Sequence, residues 1–179
     1  MAQLHYPAPP LSDGALRLRP YRAEDLDALV AELSDPEIPR WTNVPSSYGR
    51  EEGEAFLAQA DPQRLAGRAL TLAIGDELQG AVGLTNVDWR DRRAEMGYWV
   101  AASWRGRGLA SRAVALLSAW ALSDAGFERL DLYSNPANGA SQRVAEKAGF
   151  TREGFLRELR YRQGEREDLY VFSRLASDL

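Results

Sequence analysis

The residues from Arg105 to Ala110, Arg-Gly-Arg-Gly-Leu-Ala, lie between a strand-like run that ends at Val100 and a helix-like run that begins near Leu109. The first turn of a helix has unpaired backbone N–H groups and carries about half a positive charge. Glycine lets a backbone approach an anion without a Cβ in the way, and arginine adds side-chain donors for phosphate. The spacing therefore predicts a phosphate-binding loop, with a plain glycine-containing turn and surface arginines as the alternative.

Two widespread phosphate motifs fit this loop poorly. A Walker A loop requires Gly-Lys-Ser/Thr after four spacer residues, which the chain lacks at this point. A dinucleotide fingerprint requires a third small residue in Gly-x-Gly-x-x-Gly, and Ser111 stands in that place. The preceding strand also lies in mid-chain, after an antiparallel-looking hairpin. A dinucleotide-binding domain is therefore only a distant alternative.

The composition limits the chemistry that the chain can perform. Its 179 residues are 45% apolar and include no cysteine and a single histidine, His5. The lack of cysteine excludes a Cys nucleophile, a disulfide framework and Cys-based metal sites. His5 lies in a Pro-rich N-terminal segment that we expect to be loose, which disfavours a His-centred zinc site or a Ser-His triad. We therefore expect no metal site.

Charge and hydropathy bear on partners and location. The formal net charge is -4, which argues against bulk electrostatic binding of nucleic acid. The N-terminus has neither the basic start nor the apolar region of a signal peptide, and no apolar run approaches the length of a membrane span. We therefore expect a cytoplasmic protein with no nucleic-acid or membrane partner.

Hydrophobic periodicity predicts a mixed α/β domain at residues 15–179, preceded by an N-terminal arm at residues 1–14. The predicted elements, in chain order, are a strand at Ala15–Arg19, a helix that stops at Pro36, a loop at 36–49, a helix at Arg50–Ala60, a hairpin formed by 70–74 and 78–89, a strand at 93–100, a helix at Gly108–Ala125, a strand at 129–134, a helix at 138–148 closed by Gly149, and a hairpin with its turn near Gly164.

Four segments in this order resemble the GCN5-related N-acetyltransferase (GNAT) superfamily, which binds acetyl-CoA. Arg105-x-x-Gly108-x-Ala110 is similar to the family's Q/R-x-x-G-x-G/A signature, and the strand RAEMGYWV before it looks like the family's central strand. The run from Asn135 to Phe150, the final hairpin and the opening LRLRPYRAEDLDAL resemble the branch that acetylates N-terminal alanine or serine of ribosomal proteins. The resemblance covers nearly all of residues 15–175.

The resemblance implies a single-domain GNAT fold of the α/β class. In that fold a mixed, mostly antiparallel sheet is flanked by helices, and its fourth and fifth strands splay apart. The pantetheine arm of acetyl-CoA, a co-substrate, would lie in that cleft, and its pyrophosphate would lie on the loop amides. The implied cofactor residues are Tyr98, Trp99 and Val100 on the strand, Arg105, Gly106, Arg107, Gly108, Leu109, Ala110 and Ser111 on the loop and helix, and Asn138, which also suits a helix N-cap.

Without cysteine, acetyl transfer proceeds by direct attack of the amine on the thioester in a ternary complex. By resemblance, the backbone N–H of Val100 would stabilise the oxyanion. Many family members use a tyrosine four residues after Ser141 as the acid, but Ala145 stands there. Ser141 shares a helical face with apolar residues, so its hydroxyl is either the acid that protonates the thiolate or a structural group.

The general base is left open by the sequence. Glu95 on the central strand and Glu158 on the late hairpin are candidates, and ordinary salt bridges explain both equally well. Members of the branch carry a glutamate where this chain has Arg160. A strong base is dispensable for an α-amine, whose pKa of about 8 leaves roughly a tenth neutral near pH 7, whereas a lysine amine is neutral less than about one time in a thousand.

The acceptor pocket is expected where the loop that holds Trp41 and Tyr48 meets the final hairpin at Tyr161–Glu165, although such aromatics also serve as loop anchors. We expect an N-acetyltransferase whose acceptor is a protein N-terminus. A small amine, such as a polyamine, an amino acid or an aminoglycoside, is the alternative acceptor, and a non-catalytic acyl-CoA sensor is a further possibility. Monomer and homodimer both remain open.

Overall fold

A computed structural model describes residues 3–179 and contains one sheet with helices on both faces. The helices are α1 (Leu26–Leu33), α2 (Glu37–Trp41), α3 (Arg50–Leu65), α4 (Leu109–Ser123) and α5 (Gly139–Lys147). The strands are β1 (Leu18–Arg19), β2 (Leu70–Ile74), β3 (Gly80–Asp88), β4 (Arg93–Val100), β5 (Arg129–Ser134), β6 (Thr151–Arg162) and β7 (Glu165–Leu175). This confirms the predicted α/β class and the mostly antiparallel, mixed sheet.

The sheet is ordered β1-β2-β3-β4-β5-β7-β6, and its only parallel pair within residues 3–179 joins β4 to β5. That pair is short: Arg93, Ala94 and Glu95 face Arg129, Leu130 and Asp131. Beyond Glu95 the two strands continue without pairing, so they diverge. The predicted splay of the fourth and fifth strands is therefore present, and it leaves one edge of β4 free of strand partners.

Two hydrophobic clusters hold the helices against opposite faces of this sheet. The larger cluster packs the apolar stripe of α4 against the sheet, with Leu117 and Phe172 fully buried. The smaller one contains Leu29 and Ile38 from α1 and α2. Successive side chains of a strand point to opposite faces, and in β4 Tyr98 packs on the larger cluster while its neighbour Trp99 packs on the smaller.

The segment predicted as a loop at 36–49 contains a short helix, α2, so that prediction was wrong for its first residues. Pro36 and Pro39 suggested a loop, but they occupy the N-cap and the first turn of α2. A backbone N–H has no intrahelical partner at those positions, so proline costs little there. The other differences are that β1 is limited to Leu18–Arg19 and that α3 continues past Ala60 to Leu65.

The N-terminal arm is packed against the domain over its described part, residues 3–14, rather than loose. Leu4 is fully buried in the larger cluster, and its N–H donates to the Arg64 carbonyl at 3.2 Å. The Tyr6 hydroxyl donates to Asp61 at 3.0 Å. These contacts tie the arm to the end of α3. No helix within residues 3–179 has the length and apolarity that a membrane crossing requires.

A buried ion pair anchors the first strand. The guanidinium of Arg19 donates to both carboxylate oxygens of Asp25 at 2.7 Å and, through Nε, to the Gly75 carbonyl at 2.9 Å. The two side chains are 3% and 8% exposed. Burial alone would raise the pKa of Asp25, but hydrogen bonds from Arg19 and from the Arg22 N–H lower it below its usual value. The pair fixes the start of α1 relative to the β2–β3 turn.

Candidate active site

The splay between β4 and β5 opens into a cleft of about 990 Å³. This is at the upper end of the size range of small-molecule sites. Most predicted site residues line it: Trp41, Tyr48, Glu95, Tyr98, Trp99, Val100, Arg105, Gly106, Gly108, Leu109, Ala110, Ser111, Asn138 and Ser141. Arg107 and Tyr161 do not. The cleft therefore brings the phosphate-binding loop, the central strand and the first turn of α5 to one place.

The free edge of β4 presents backbone groups to this cleft. The Ala101 N–H donates to the Gln79 carbonyl at 2.9 Å. The Trp99 carbonyl oxygen lies close to Gly80 of β3, because a Cβ built on Gly80 would be only 2.3 Å from it. Ala101 and Trp99 therefore direct their backbone groups toward β3. Backbone direction alternates along an antiparallel pair. The amide groups of Tyr98 and Val100 therefore point into the cleft, whereas Trp99 contributes its side chain and not its backbone.

The loop before α4 leaves open space above a helix N-terminus. Gly106 and Gly108 both have φ of +75°, a left-handed conformation that favours glycine, and a Cβ on either would meet no described atom within 4 Å. Gly108 is the N-cap of α4, and the first backbone bond of the helix runs from the Arg112 N–H to the Gly108 carbonyl at 3.2 Å. The N–H groups of Leu109, Ala110 and Ser111 thus lack intrahelical partners and suit an anion.

The two arginine side chains of this loop, predicted as phosphate donors, lie against other groups of the protein. Arg105 lines the cleft, but its Nη2 lies 2.6 Å from an Asp35 carboxylate oxygen and its Nε donates to the Val100 carbonyl at 3.0 Å. The exposed Arg107 places its guanidinium 4.9 Å from the ring centre of Trp104. The loop therefore offers its backbone amides, and the phosphate role of the two arginines stays a prediction.

Ser141 meets a hydroxyl that sequence reasoning had not assigned. It stands in the first turn of α5, where its N–H donates to the Asn138 side chain at 3.0 Å, which confirms Asn138 as the N-cap. Its Oγ accepts a bond of 3.0 Å from the Tyr98 hydroxyl across the cleft. Burial raises the pKa of Tyr98 to about 12, against the lowering effect of the bond to Ser141, so the phenol keeps its proton at neutral pH.

The candidate bases are poorly placed for proton abstraction. Glu95 lines the cleft, but one carboxylate oxygen accepts from Arg160 Nη2 and the other from Asn86 Nδ2, each at 2.7 Å. Both oxygens of the Glu95 carboxylate are thus already hydrogen-bonded to side chains of the protein. Glu158 is exposed on an irregular part of β6 with φ of +50°, outside the cleft lining, and its N–H donates to Asp168. Arg160, which stands where the related branch carries a glutamate, thus forms an ion pair with Glu95.

The far end of the cleft is walled by α2 and the segment after it, which supply Trp41 and Tyr48. The Trp41 Nε1 donates to Glu37 at 3.2 Å, so this ring is fixed within its own helix. Tyr161, the third predicted acceptor residue, is 67% exposed and lies outside the lining, so the structure does not bring its side chain to the cleft. In β6 the residue that lines the cleft is Arg160, whereas Arg162 lies outside the lining and bonds to the end of α2.

Arg162 joins the hairpin to the wall through backbone carbonyls. Its Nη1 donates to the carbonyls of Pro39, Arg40 and Thr42 at 3.0, 2.6 and 3.2 Å. Its Nε donates to Glu167 at 2.8 Å, which holds the guanidinium in place. A helix C-terminus has unpaired carbonyls, and a cation there is favourable. The hairpin therefore fixes the end of α2, and with it Trp41.

Comparison with known proteins gives the same assignment as the motifs. The protein-family profile of the acetyltransferase (GNAT) domain matches residues 15–151. The uncharacterized N-acetyltransferase p20 of Bacillus licheniformis is 29% identical over 164 residues, which are 89% of this chain and 92% of that protein.

Two solved structures share the fold. RimL, a ribosomal L7/L12 α-N-protein acetyltransferase solved with coenzyme A, has a TM-score of 0.84 and 22% identity, covering 93% of this chain and 96% of that one. Spermidine N-acetyltransferase from Vibrio cholerae, solved with CoA and spermine, has a TM-score of 0.80 and 20% identity over 93% of this chain and 98% of that one.

Proposed function

Since the chain belongs to the GNAT acetyltransferase family and is an acetyl-CoA-dependent N-acetyltransferase, we propose that its acceptor is the α-amino group of a protein or peptide N-terminus. The observation that carries this proposal is that every glutamate that lines the cleft already accepts a hydrogen bond from another group of the protein. Glu95 holds Arg160 and Asn86, Glu37 holds Arg40 and Trp41, and Glu52 accepts from the Gly49 N–H. No cleft-lining carboxylate among residues 3–179 is thus free of a hydrogen-bond donor.

A site whose lining carboxylates are all hydrogen-bonded within the protein suits an amine that is already partly neutral. Near pH 7 about a tenth of an α-amine is neutral, against less than about a thousandth of a lysine amine. The RimL structure, named as an α-N-protein acetyltransferase, supports the same acceptor class.

Acetyl-CoA supplies an activated acetyl thioester, and the residues of the cleft suit its binding. We propose that the amides of Leu109, Ala110 and Ser111 bind the pyrophosphate and that the open space above Gly106 and Gly108 admits it. The free β4 edge at Tyr98 and Val100 pairs with the pantetheine amides as an added strand does. Asn138, whose Oδ1 caps α5, lines the same passage with its amide group.

The proposed roles in the reaction follow from where donors point. The Val100 N–H faces the cleft and donates to the thioester carbonyl oxygen as that oxygen gains negative charge. The amine nitrogen forms a bond to the carbonyl carbon, the C–S bond breaks, and Ser141 gives its hydroxyl proton to the departing sulfur. The proton that the nitrogen loses restores the Ser141 hydroxyl through solvent. The cleft holds both reactants together, which by itself contributes several kcal/mol.

The acceptor is tested with peptides matched in sequence. One carries a free N-terminus and no lysine, and the other a blocked N-terminus and one lysine, and thiol release is followed from about pH 6 to about pH 10. We expect the free N-terminus to react at least about a hundredfold faster near pH 7, from the ratio of neutral fractions. For each acceptor kcat/KM should rise with pH and level off at the pKa of that amine. Equal or faster reaction of the lysine peptide would refute the proposal.

A polyamine is the second candidate acceptor. Within residues 3–179 Glu52 lines the cleft without an arginine or lysine partner and can therefore face a cation, and a spermidine acetyltransferase shares the fold. Spermidine is therefore included in the same assay. Turnover of spermidine with none of either peptide would replace the N-terminal acceptor by a small amine. Tight acetyl-CoA binding with no turnover of any acceptor would instead favour a sensor.

A further inference from the structure

The bond between Tyr98 and Ser141 crosses the cleft at a point where the sheet no longer joins its two walls. Tyr98 belongs to β4 beyond the last β4–β5 pair, at Glu95 and Asp131, and Ser141 belongs to the first turn of α5. The two oxygens are 3.0 Å apart although the residues are 43 positions apart in sequence. Serine hydroxyls near a helix start usually bond to nearby backbone. Here the Oγ is held by a side chain from the opposite wall instead.

The chemistry of the two hydroxyls fixes the direction of this bond. A phenol, with a pKa of about 10 in water, is a much stronger acid than an aliphatic hydroxyl and therefore the better donor. Among residues 3–179 the Tyr98 hydroxyl has no other acceptor. Tyr98 thus donates and Ser141 accepts. The proton of Ser141 is not used in this bond, so the Oγ–H is available to donate to an acceptor within the cleft.

We propose that Tyr98 is a positioning residue, which holds the Ser141 hydroxyl with its proton directed at the departing thiolate. This inference rests on the proposed role of Ser141 as the acid. Ala145, where a family tyrosine would reach the thiolate directly, is fully buried and has no group to donate. A phenol is still present at the site, but it comes from β4 and acts through Ser141. Tyr98 keeps its own proton throughout, because its buried hydroxyl ionises only near pH 12.

The inference is tested by a double-mutant cycle of wild type, Tyr98→Phe, Ser141→Ala and the double variant. Each is assayed with the acceptor that reacts fastest among the two peptides and spermidine. We expect Tyr98→Phe to lower kcat at least about tenfold, a part of the hundredfold or more that an acid contributes. The Kd for acetyl-CoA should stay within about twofold, because Phe leaves the β4 backbone unchanged. On the Ser141→Ala background, Tyr98→Phe should cause no further loss.

Tyr6→Phe is the matched control. This substitution also removes a phenol hydroxyl that donates a 3.0 Å hydrogen bond, in this case to Asp61. Tyr6, however, lies on the N-terminal arm, away from the cleft. The kcat of this variant should equal that of the wild type. Melting temperatures of both phenylalanine variants show whether the fold is intact.

Each other result of the cycle overturns a defined part of the reasoning. Wild-type kcat in Tyr98→Phe, with a slow Ser141→Ala, overturns the positioning role and leaves the acid in place. Independent, additive losses in the double variant also overturn it, because Tyr98 would then act without Ser141. Wild-type kcat in Ser141→Ala overturns the proposed acid and the inference that rests on it.

Discussion

The proposed pyrophosphate site makes a sharp prediction at Gly108. Replacing it by aspartate has two separable effects: a backbone effect, because φ is +75°, and a ligand effect, because a carboxylate would face a phosphate. The backbone effect is about 1–2 kcal/mol of folding free energy for a residue with a Cβ in the left-handed region. No steric term is added, since a Cβ there meets no described atom within 4 Å.

The ligand effect follows from Coulomb's law. Two like unit charges about 4 Å apart repel by about 1 kcal/mol in water and about 4 kcal/mol at an effective dielectric constant of about 20. Gly108 is exposed, so we take the lower part of this range. The Kd for acetyl-CoA should rise at least about tenfold, which corresponds to about 1.4 kcal/mol. Gly108→Ala should lower the free energy of unfolding by a similar amount, but it should raise the Kd for acetyl-CoA less than Gly108→Asp does, because alanine adds no charge.

Gly126 supplies the control for both effects. Its φ is +84°, a Cβ there also meets nothing within 4 Å, and it lies between α4 and β5 outside the cleft lining. Gly126→Asp should therefore lower the melting temperature as Gly108→Asp does but leave the affinity unchanged. Isothermal calorimetry with acetyl-CoA measures the difference. If the two aspartate variants bind acetyl-CoA equally well, the loop does not hold the pyrophosphate.

Two further predictions concern the walls of the cleft and the frame behind it. Arg162→Met removes the donors that hold the end of α2. KM for the acceptor should therefore rise about fivefold to tenfold, while the Kd for acetyl-CoA stays constant. Arg166→Met, on the same hairpin, is the control and should change neither constant. Asp25→Asn leaves the buried Arg19 charge unpaired and should lower the free energy of unfolding by about 3 kcal/mol at neutral pH, measured by urea denaturation. Because the pKa of Asp25 is lower in the folded state, its contribution is complete above about pH 4 and is lost as pH falls through the folded value, so the variant should show a smaller loss of stability in acid. A variant with wild-type stability at neutral pH would contradict this account of the ion pair.

The elements around the cleft could be predicted because their signals are local. The strands at Arg93–Val100 and Arg129–Ser134 were predicted to the residue, since each is a short run rich in apolar or β-branched residues bounded by turn residues. Asn138 was recognised as an N-cap because capping depends on a side chain and the amides that follow it closely. α2 was missed because proline is a strong loop signal, and only the structure shows that both prolines fall where an N–H is not needed.

The contacts that decide the chemistry depend on long side chains from distant segments. The sequence indicated that Arg105 faces a phosphate, but the structure shows its guanidinium bound to Asp35 and the Val100 carbonyl. Likewise the sequence makes Glu95 a candidate base, but the structure shows Arg160, 65 positions away, bonded to its carboxylate. Long side chains have many rotamers, and the partner that they choose depends on packing that no local pattern encodes.

The alternation of side chains along β4 separates the two halves of the proposed reaction. Glu95 and Trp99 lie on one face of this strand and Tyr98 on the other, because successive residues of a strand point in opposite directions. The acceptor wall, with Trp41, is on the side of Trp99, whereas Ser141 is on the side of Tyr98. A thioester bound along the free edge of β4, between these faces, can receive an amine from one side and release its thiolate toward Ser141 on the other. The splay after Glu95 frees this edge of β4, so in the proposed mechanism the short β4–β5 pairing is needed as much as the groups that line the cleft.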